Sequence, residues 1–233
     1  MEKTQSPLLV APLLALLSVP ILGSASAATL QLNIDSIFSG PGVPEGPTPW
    51  VAVTVDDSYG VAITVRRSIE AVGLVGIEYI SEIYLNFDST LDSTNLSFTE
   101  ITNPTSMNPA TDISTGNNLY KANGDGFFDI HFDFPPPPGN FASKFTSGET
   151  VVIDLTYTSA ISADSFAYQS VNSQGGYDPF AAVHIKSIGP NEESVWSGAP
   201  VAAFEIPEPT VGGLLVMSTL CLLNIRRRQG GRA

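Results

Sequence analysis

Between residues 28 and 205 apolar side chains return at every second position, in one short segment after another. Leu30, Leu32 and Ile34 alternate with Gln31, Asn33 and Asp35, and Val51, Val53 and Val55 alternate with Ala52, Thr54 and Asp56. The same beat runs through Val61, Ile63 and Val65, through Ile83, Leu85 and Phe87, and through Phe128, Ile130, Phe132 and Phe134. It returns in Val151, Ile153, Leu155 and Tyr157, and again in Ala181, Val183 and Ile185. Successive side chains of a strand point to opposite faces, so this period describes strands with one buried and one wet face. Such strands pair antiparallel. About eight of them in a segment of this length predict an all-β fold, an antiparallel two-sheet sandwich of jelly-roll type.

Other stretches are placed around that pattern. "SIEAVGLVGIEYISE" (68–82) comes nearest to a helical spacing, but Gly73 and Gly76 weaken it, and it reads as a strand with a bend. "DDSYG" (56–60) reads as a hairpin connection. "TNPTSMNPATDISTGNNLYKANGDG" (102–126) is rich in turn formers and is expected to be a long loop. "PPPPGN" (135–140) should stop a strand, since proline cannot donate to a ladder.

Charge narrows the function classes. All 23 acids except Glu2 lie between residues 28 and 208, against five basic residues there (Arg66, Arg67, Lys121, Lys144, Lys186), a net charge of −17. A surface that negative repels phosphate backbones, which argues against nucleic acid as a partner. The single cysteine, Cys221, leaves no intrachain disulfide and no cysteine zinc site.

The two ends read as addresses. Lys3, an apolar run from Leu8 to Leu22, a breaking Pro20 and the small residues Ala25-Ser26-Ala27 make an N-terminal signal peptide and helix over residues 1–27, cut after Ala27. Val211 to Ile225 is apolar and spans about 22 Å as a helix, short against a hydrocarbon core of about 30 Å. Arg226, Arg227 and Arg228 follow it and should stay on the cytoplasmic side. Before it, Pro207, Glu208 and Pro209 hold the backbone extended at the membrane face. The chain thus divides into a leader (1–27), an exported domain (28–205) and a sorting segment (206–233).

The Pro207-Glu208-Pro209 motif, the apolar transmembrane helix and the arginine cluster together resemble the PEP-CTERM sorting signal; the chain departs from it only in running on from Gln229 to Ala233. The middle of the chain also resembles a family of PEP-CTERM proteins, in "TPW" (48–50), "SEIYLNFDSTLD" (81–92), "GFFDIHFDFP" (126–135), "SGETVVIDLT" (147–156) and "AAVHIKSIG" (181–189) before Trp196. The resemblance implies Sec-dependent export through the inner membrane of a Gram-negative bacterium, signal-peptidase cleavage and a transient anchor in the membrane. It further implies cleavage near the motif by an exosortase, followed by delivery to the cell surface or matrix. It implies a β-rich fold and carries no catalytic residues.

Chemistry-bearing constellations are sparse. "DIHFD" places Asp129, His131 and Asp133 on one strand face with alternate residues about 7 Å apart, and with His184, the other histidine, a His/carboxylate metal site is conceivable. The simpler reading is a solvated strand face, with no metal. "NGDG" (123–126) offers oxygens and glycines that would suit calcium, but it lacks the spacing of an EF-hand loop, and Asn-Gly is a common turn. Glu78, Glu82 and Asp88 could form a glycosidase pair only if two carboxyls stood about 5–9.5 Å apart across a cleft. There is no Gly-x-Ser-x-Gly, and "NSQGGYDPF" (172–180) lacks the lysine of a phosphate loop. Trp50, Tyr59, Tyr120, Tyr168, Tyr177 and Trp196 could stack on sugars or fill the core. The expectation is a non-enzymatic surface protein, structural or adhesive in an exopolysaccharide layer. The alternatives are a carbohydrate-binding module, with calcium a conceivable cofactor, and a surface glycoside hydrolase.

Overall fold

The structure is a computed structural model, which describes residues 28–58, 64–101, 112–123, 125–134, 144–172 and 176–205. The leader with Ala25 and Ala27, the sorting segment with Pro207, Glu208, Pro209 and Arg226 to Arg228, the proline run 135–140 and Tyr59 lie outside those residues.

All regular structure among the described residues is β, apart from two short 3-10 turns at Ser93–Asn95 and Ala163–Phe166. One sheet holds β1 (Thr29–Ile34), β3 (Val51–Asp56), β4 (Thr64–Glu70), β6 (Ser97–Ile101), β10 (Thr150–Thr156) and β13 (Ala202–Glu205), in the order β13-β1-β3-β4-β10-β6. The second holds β2 (Ser36–Ser39), β5 (Tyr79–Leu85), β7 (Asp112–Ala122), β8 (Asp125–Asp133), β11 (Ala181–Ile188) and β12 (Glu193–Gly198), in the order β2-β12-β11-β5-β8-β7. The two-residue β9 (Phe145–Thr146) joins β5 beyond the end of β8. Every pairing is antiparallel.

The alternation read from the sequence has a direct physical result. Leu30, Leu32, Ile34, Val53, Val55, Ile153 and Leu155 of the first sheet meet Ile83, Ile130, Phe132, Val183 and Ile185 of the second in one core, all fully buried. Each such side chain contributes about 1.5–3 kcal/mol by leaving water. With no disulfide in the domain, this burial and the ladders hold the two sheets together. β3 and β4 pair as antiparallel neighbours, with Asp56 opposite Arg66, while the connection expected over 56–60 lies partly outside the described residues. On the outer face of the first sheet, Arg66 grips Asp154 with two bonds of 2.8 and 3.1 Å.

Three expectations are corrected. The stretch 68–82 is two strands rather than one bent strand: β4 ends at Glu70 in the first sheet, and β5 begins at Tyr79 in the second. Residues 71–78 cross between sheets, and Gly73 lies so close to Pro47 and Pro49 that a Cβ would meet Pro47 O at 2.0 Å. The long loop expected over 102–126 contains β7, the edge strand of the second sheet. Its polar composition fits an edge, where one strand flank and one face meet solvent. Finally, Phe128 does not share a face with Ile130 and Phe132. The register of β7 on β8 slips between Thr115 and Tyr120, opposite Ile130 and Phe128, and Asn118 adopts a left-handed φ of 51°. Phe128 consequently leaves the main core for a second apolar cluster with Tyr84, Ala122 and Ala182.

Candidate functional site

That second cluster lies on the outer face of the second sheet, a face that a sandwich needs only to keep wet. Here adjacent strands carry aromatic and titratable side chains in two neighbouring rows. His131 of β8, Tyr84 of β5 and Ala182 of β11 stand opposite one another in one row. Asp133, Glu82, His184 and Trp196, from β8, β5, β11 and β12, form the next. Their neighbours in sequence, Ile83, Phe132, Val183 and Val195, point into the core, which fixes the outward direction of the site residues.

Glu82 is the centre of the arrangement. His184 Nδ1 lies 3.4 Å from one carboxylate oxygen, and His131 Nε2 lies 3.7 Å from the other, an ion-pair distance rather than a hydrogen bond. The Tyr84 hydroxyl donates a short hydrogen bond to the same oxygen that faces His131. The chain's only two histidines therefore converge on one carboxylate. The imidazole of His131, then that of His184, holds the Glu82 carboxyl well below the ordinary glutamate value; burial opposes them, and the Tyr84 hydroxyl assists. Burial first, then the bond to Glu82, pushes the Tyr84 phenol far above its usual range. Glu82 is thus an ionised acceptor, and Tyr84 a donor that keeps its proton.

Ring stacking locks the imidazoles in place. His184 lies flat on Trp196, with centroids 4.2 Å apart and planes 12° from parallel. Tyr84 lies on His131 at 4.6 Å and 19°. Trp196 and Tyr84 approach to 5.6 Å, and Tyr120 of β7 reaches His131 at 5.5 Å. Tyr84 and Phe128 are buried, while Tyr120, Trp196 and Phe38 are only partly covered and pack against them. The result is a shelf of buried and partly covered rings with hydrogen-bonding groups set among them.

The sequence-predicted sites separate. Asp129 leaves the other members of "DIHFD": it is buried, and its carboxylate accepts the backbone N–H of Phe87 at 2.9 Å and of Asn118 at 2.6 Å. His131 and His184 do come together, but on Glu82. Among the described residues no group of three His, Cys, Asp or Glu side chains is arranged to hold a metal ion. Glu78 is buried and clamps a loop by accepting the backbone N–H groups of Glu45 and Val75. Asp88 caps its own turn through Thr90. Glu78, Glu82 and Asp88 therefore serve three different places. Asn123 forms the tight hairpin turn between β7 and β8, where Ala122 pairs with Asp125, and its amide donates to the Ser39 hydroxyl.

The aromatic residues also divide. Trp50 is in the core, with its indole N–H on Gly46 O at 3.1 Å. Tyr177 packs on Phe38 at 5.6 Å, and Tyr168 bonds to Asp88. Tyr120 and Trp196 join the shelf. Sequence reasoning missed Tyr84 and Phe128 as members. The signal for Tyr84 was its place in "EIYLNF", where an aromatic ring occupies a position that the alternation assigns to solvent. Comparison of the chain with protein-family models, with curated proteins and with solved structures finds no match.

Proposed function

We propose that this chain is an exported surface or matrix protein whose jelly-roll-like sandwich adheres to extracellular polysaccharide through the ring shelf on its second sheet. The leader over 1–27 directs export, and the Pro207-Glu208-Pro209 segment with its apolar helix and Arg226 to Arg228 directs sorting by an exosortase-type enzyme. The repeated crossing of the chain between the two sheets supports the jelly-roll-like description.

The observation that carries the adhesive reading is the shelf itself: Trp196, Tyr120 and Tyr84 stacked with both histidines around one ionised carboxylate. The partly exposed rings of Tyr120 and Trp196 offer apolar surface at low entropic cost, which suits the C–H faces of sugars, and the imidazole and carboxylate edges suit their hydroxyls. Glu82 is a poor general acid because it holds no proton in the neutral range, and Asp133 stands beside it on the same sheet face rather than across a cleft. That arrangement favours binding over glycoside hydrolysis.

The test is affinity electrophoresis of residues 28–205 through gels that contain the host's exopolysaccharide. Trp196→Ala and Tyr120→Ala should each weaken retardation about tenfold, since a stacked ring contributes on the order of 1–1.5 kcal/mol. The polysaccharide should be recovered uncut. Equal retardation of wild type and both variants, or release of oligosaccharide, would refute this reading.

A further inference from the structure

The first described residue is held in an unusual way. Ala28 N lies 2.7 Å from Asp57 Oδ1, and the Asp57 N–H donates back to Ala28 O at 3.3 Å. The other Asp57 oxygen, Oδ2, accepts from Ala163 N at 3.2 Å, at the start of the second 3-10 turn. One carboxylate thus ties the entry to β1, the end of β3 and that turn together. Ala28 is partly buried and packs against the main core. A neutral amide N–H needs only a carbonyl oxygen as partner. Here it has a carboxylate.

We infer that Asp57 is a preformed acceptor for the ammonium group created at Ala28 when the leader is removed. This inference rests on the reading that cleavage falls after Ala27. Hydrolysis of the Ala27–Ala28 bond consumes one water and leaves a carboxylate on Ala27 and an amine on Ala28. An α-amine is mostly protonated at neutral pH, with a reference value of about 7.7–8.0. The 2.7 Å contact, a hydrogen bond from a neutral amide to a carboxylate in the precursor, then becomes an ammonium–carboxylate ion pair with charge on both partners. Processing would in this way strengthen the hold on the first strand, already paired between β13 and β3, after export. The surroundings suit a cation: Thr29, next in the chain, stands opposite Asp56 of β3. The nearest basic residue on β4, Arg66, is bonded to Asp154.

The experiment uses the full chain, exported and purified in detergent, in four forms: wild type, Asp57→Asn, and each of these with Gly-Ser inserted between Ala27 and Ala28. The insertion keeps an amide N–H at Ala28 and moves the ammonium two residues away. Asparagine keeps one accepting oxygen and loses the charge together with the acceptor for Ala163, the latter a loss common to both pairs. In the uninserted pair, Asp57→Asn should lower the folded-to-unfolded ratio roughly fivefold in urea titrations, the upper range for a partly exposed ion pair. In the inserted pair the change should be at least about twofold smaller, what remains being the bond to Ala163 that both pairs lose. Equal losses in both pairs, or none in either, would overturn the inference while leaving the cleavage reading intact. Intact-mass analysis of the mature protein separates the two, because a chain that begins anywhere other than Ala28 overturns both. Should Asp57→Asn fail to fold, acylation of the α-amine at neutral pH decides the matter between the two chains that keep Asp57. It should be slower in the native chain than in the inserted one, and equal rates would count against the ion pair.

Discussion

Glu82 is the residue on which the shelf depends. Its low pKa fixes the direction of its contribution to stability. The folded state holds the proton less tightly than the unfolded chain, so the unfolded state binds more protons in the acid range, and stability rises with pH there. The contribution is full above about pH 5, where an unfolded glutamate is ionised, and fades as pH falls toward the folded value. Glu82→Gln keeps the shape and removes the charge. It should cost about 1–2 kcal/mol at pH 7, the range for a charged hydrogen-bonding group that is partly wet. Urea midpoints measured from pH 7 down to pH 3 should show the gap between variant and wild type narrowing as wild type protonates. A gap that stays constant would mean that the imidazoles and Tyr84 do not stabilise the charged form. The outward positions of His131 and His184 are legible in the sequence from their place in alternating strands. Their meeting on Glu82 is not, because it requires β5 to lie between β8 and β11. It also requires the slip in register after His184, where Ile185 faces Ile80, to set the phase of Ser81 and Glu82. No local pattern encodes that pairing.

Elements are legible where one face is buried and obscure where burial is shared or absent. β1 and β10 follow strict alternation because each inward residue meets the core and each outward residue does not. β7 escaped because its flank is an edge and its middle is irregular: Gly116, Asn117 and Asn118 break the beat, and Asn117 is drawn off to accept from Ser93. Asp129 fills the same irregularity by bonding the Asn118 N–H, so a carboxylate that alternation assigns to water is buried by a neighbouring strand's defect. The crossing from β4 to β5 depends on another close approach. Gly73 donates to Trp50 O at 3.1 Å, and a Cβ there would sit 2.0 Å from Pro47 O and 2.5 Å from Pro49 O. Both obstacles are backbone atoms, which cannot swing aside as a side chain can. Gly73→Ala should therefore destabilise the domain by about 2 kcal/mol or more, in line with overpacking at a rigid contact. Urea denaturation measures it, and a loss under about 0.5 kcal/mol would show that the crossing moves freely away from the 47–49 backbone.

At the scale of the whole molecule the two ends of the domain meet. Thr29 stands opposite Glu205 on neighbouring strands, so the chain enters and leaves the first sheet at the same end. Only Ile206 separates β13 from Pro207. On the proposed sorting route, a processing enzyme in the membrane would meet its target within two residues of a strand already locked into the sandwich. Recognition then has to come from the motif and the apolar segment beyond it, since the preceding chain is engaged in the β1 ladder. On that route the two prolines would disfavour helix in the residues before them, which suits capture by such an enzyme. Replacing Pro207-Glu208-Pro209 by three alanines would remove that constraint and the motif with it. On the proposed route export depends on the leader and should be unchanged, while the uncut form accumulates in the membrane fraction at the mass expected for a chain that keeps its tail. If the alanine variant instead reaches the medium or cell surface with the wild-type mature mass, the motif does not direct processing, and the tail is a plain anchor cut elsewhere.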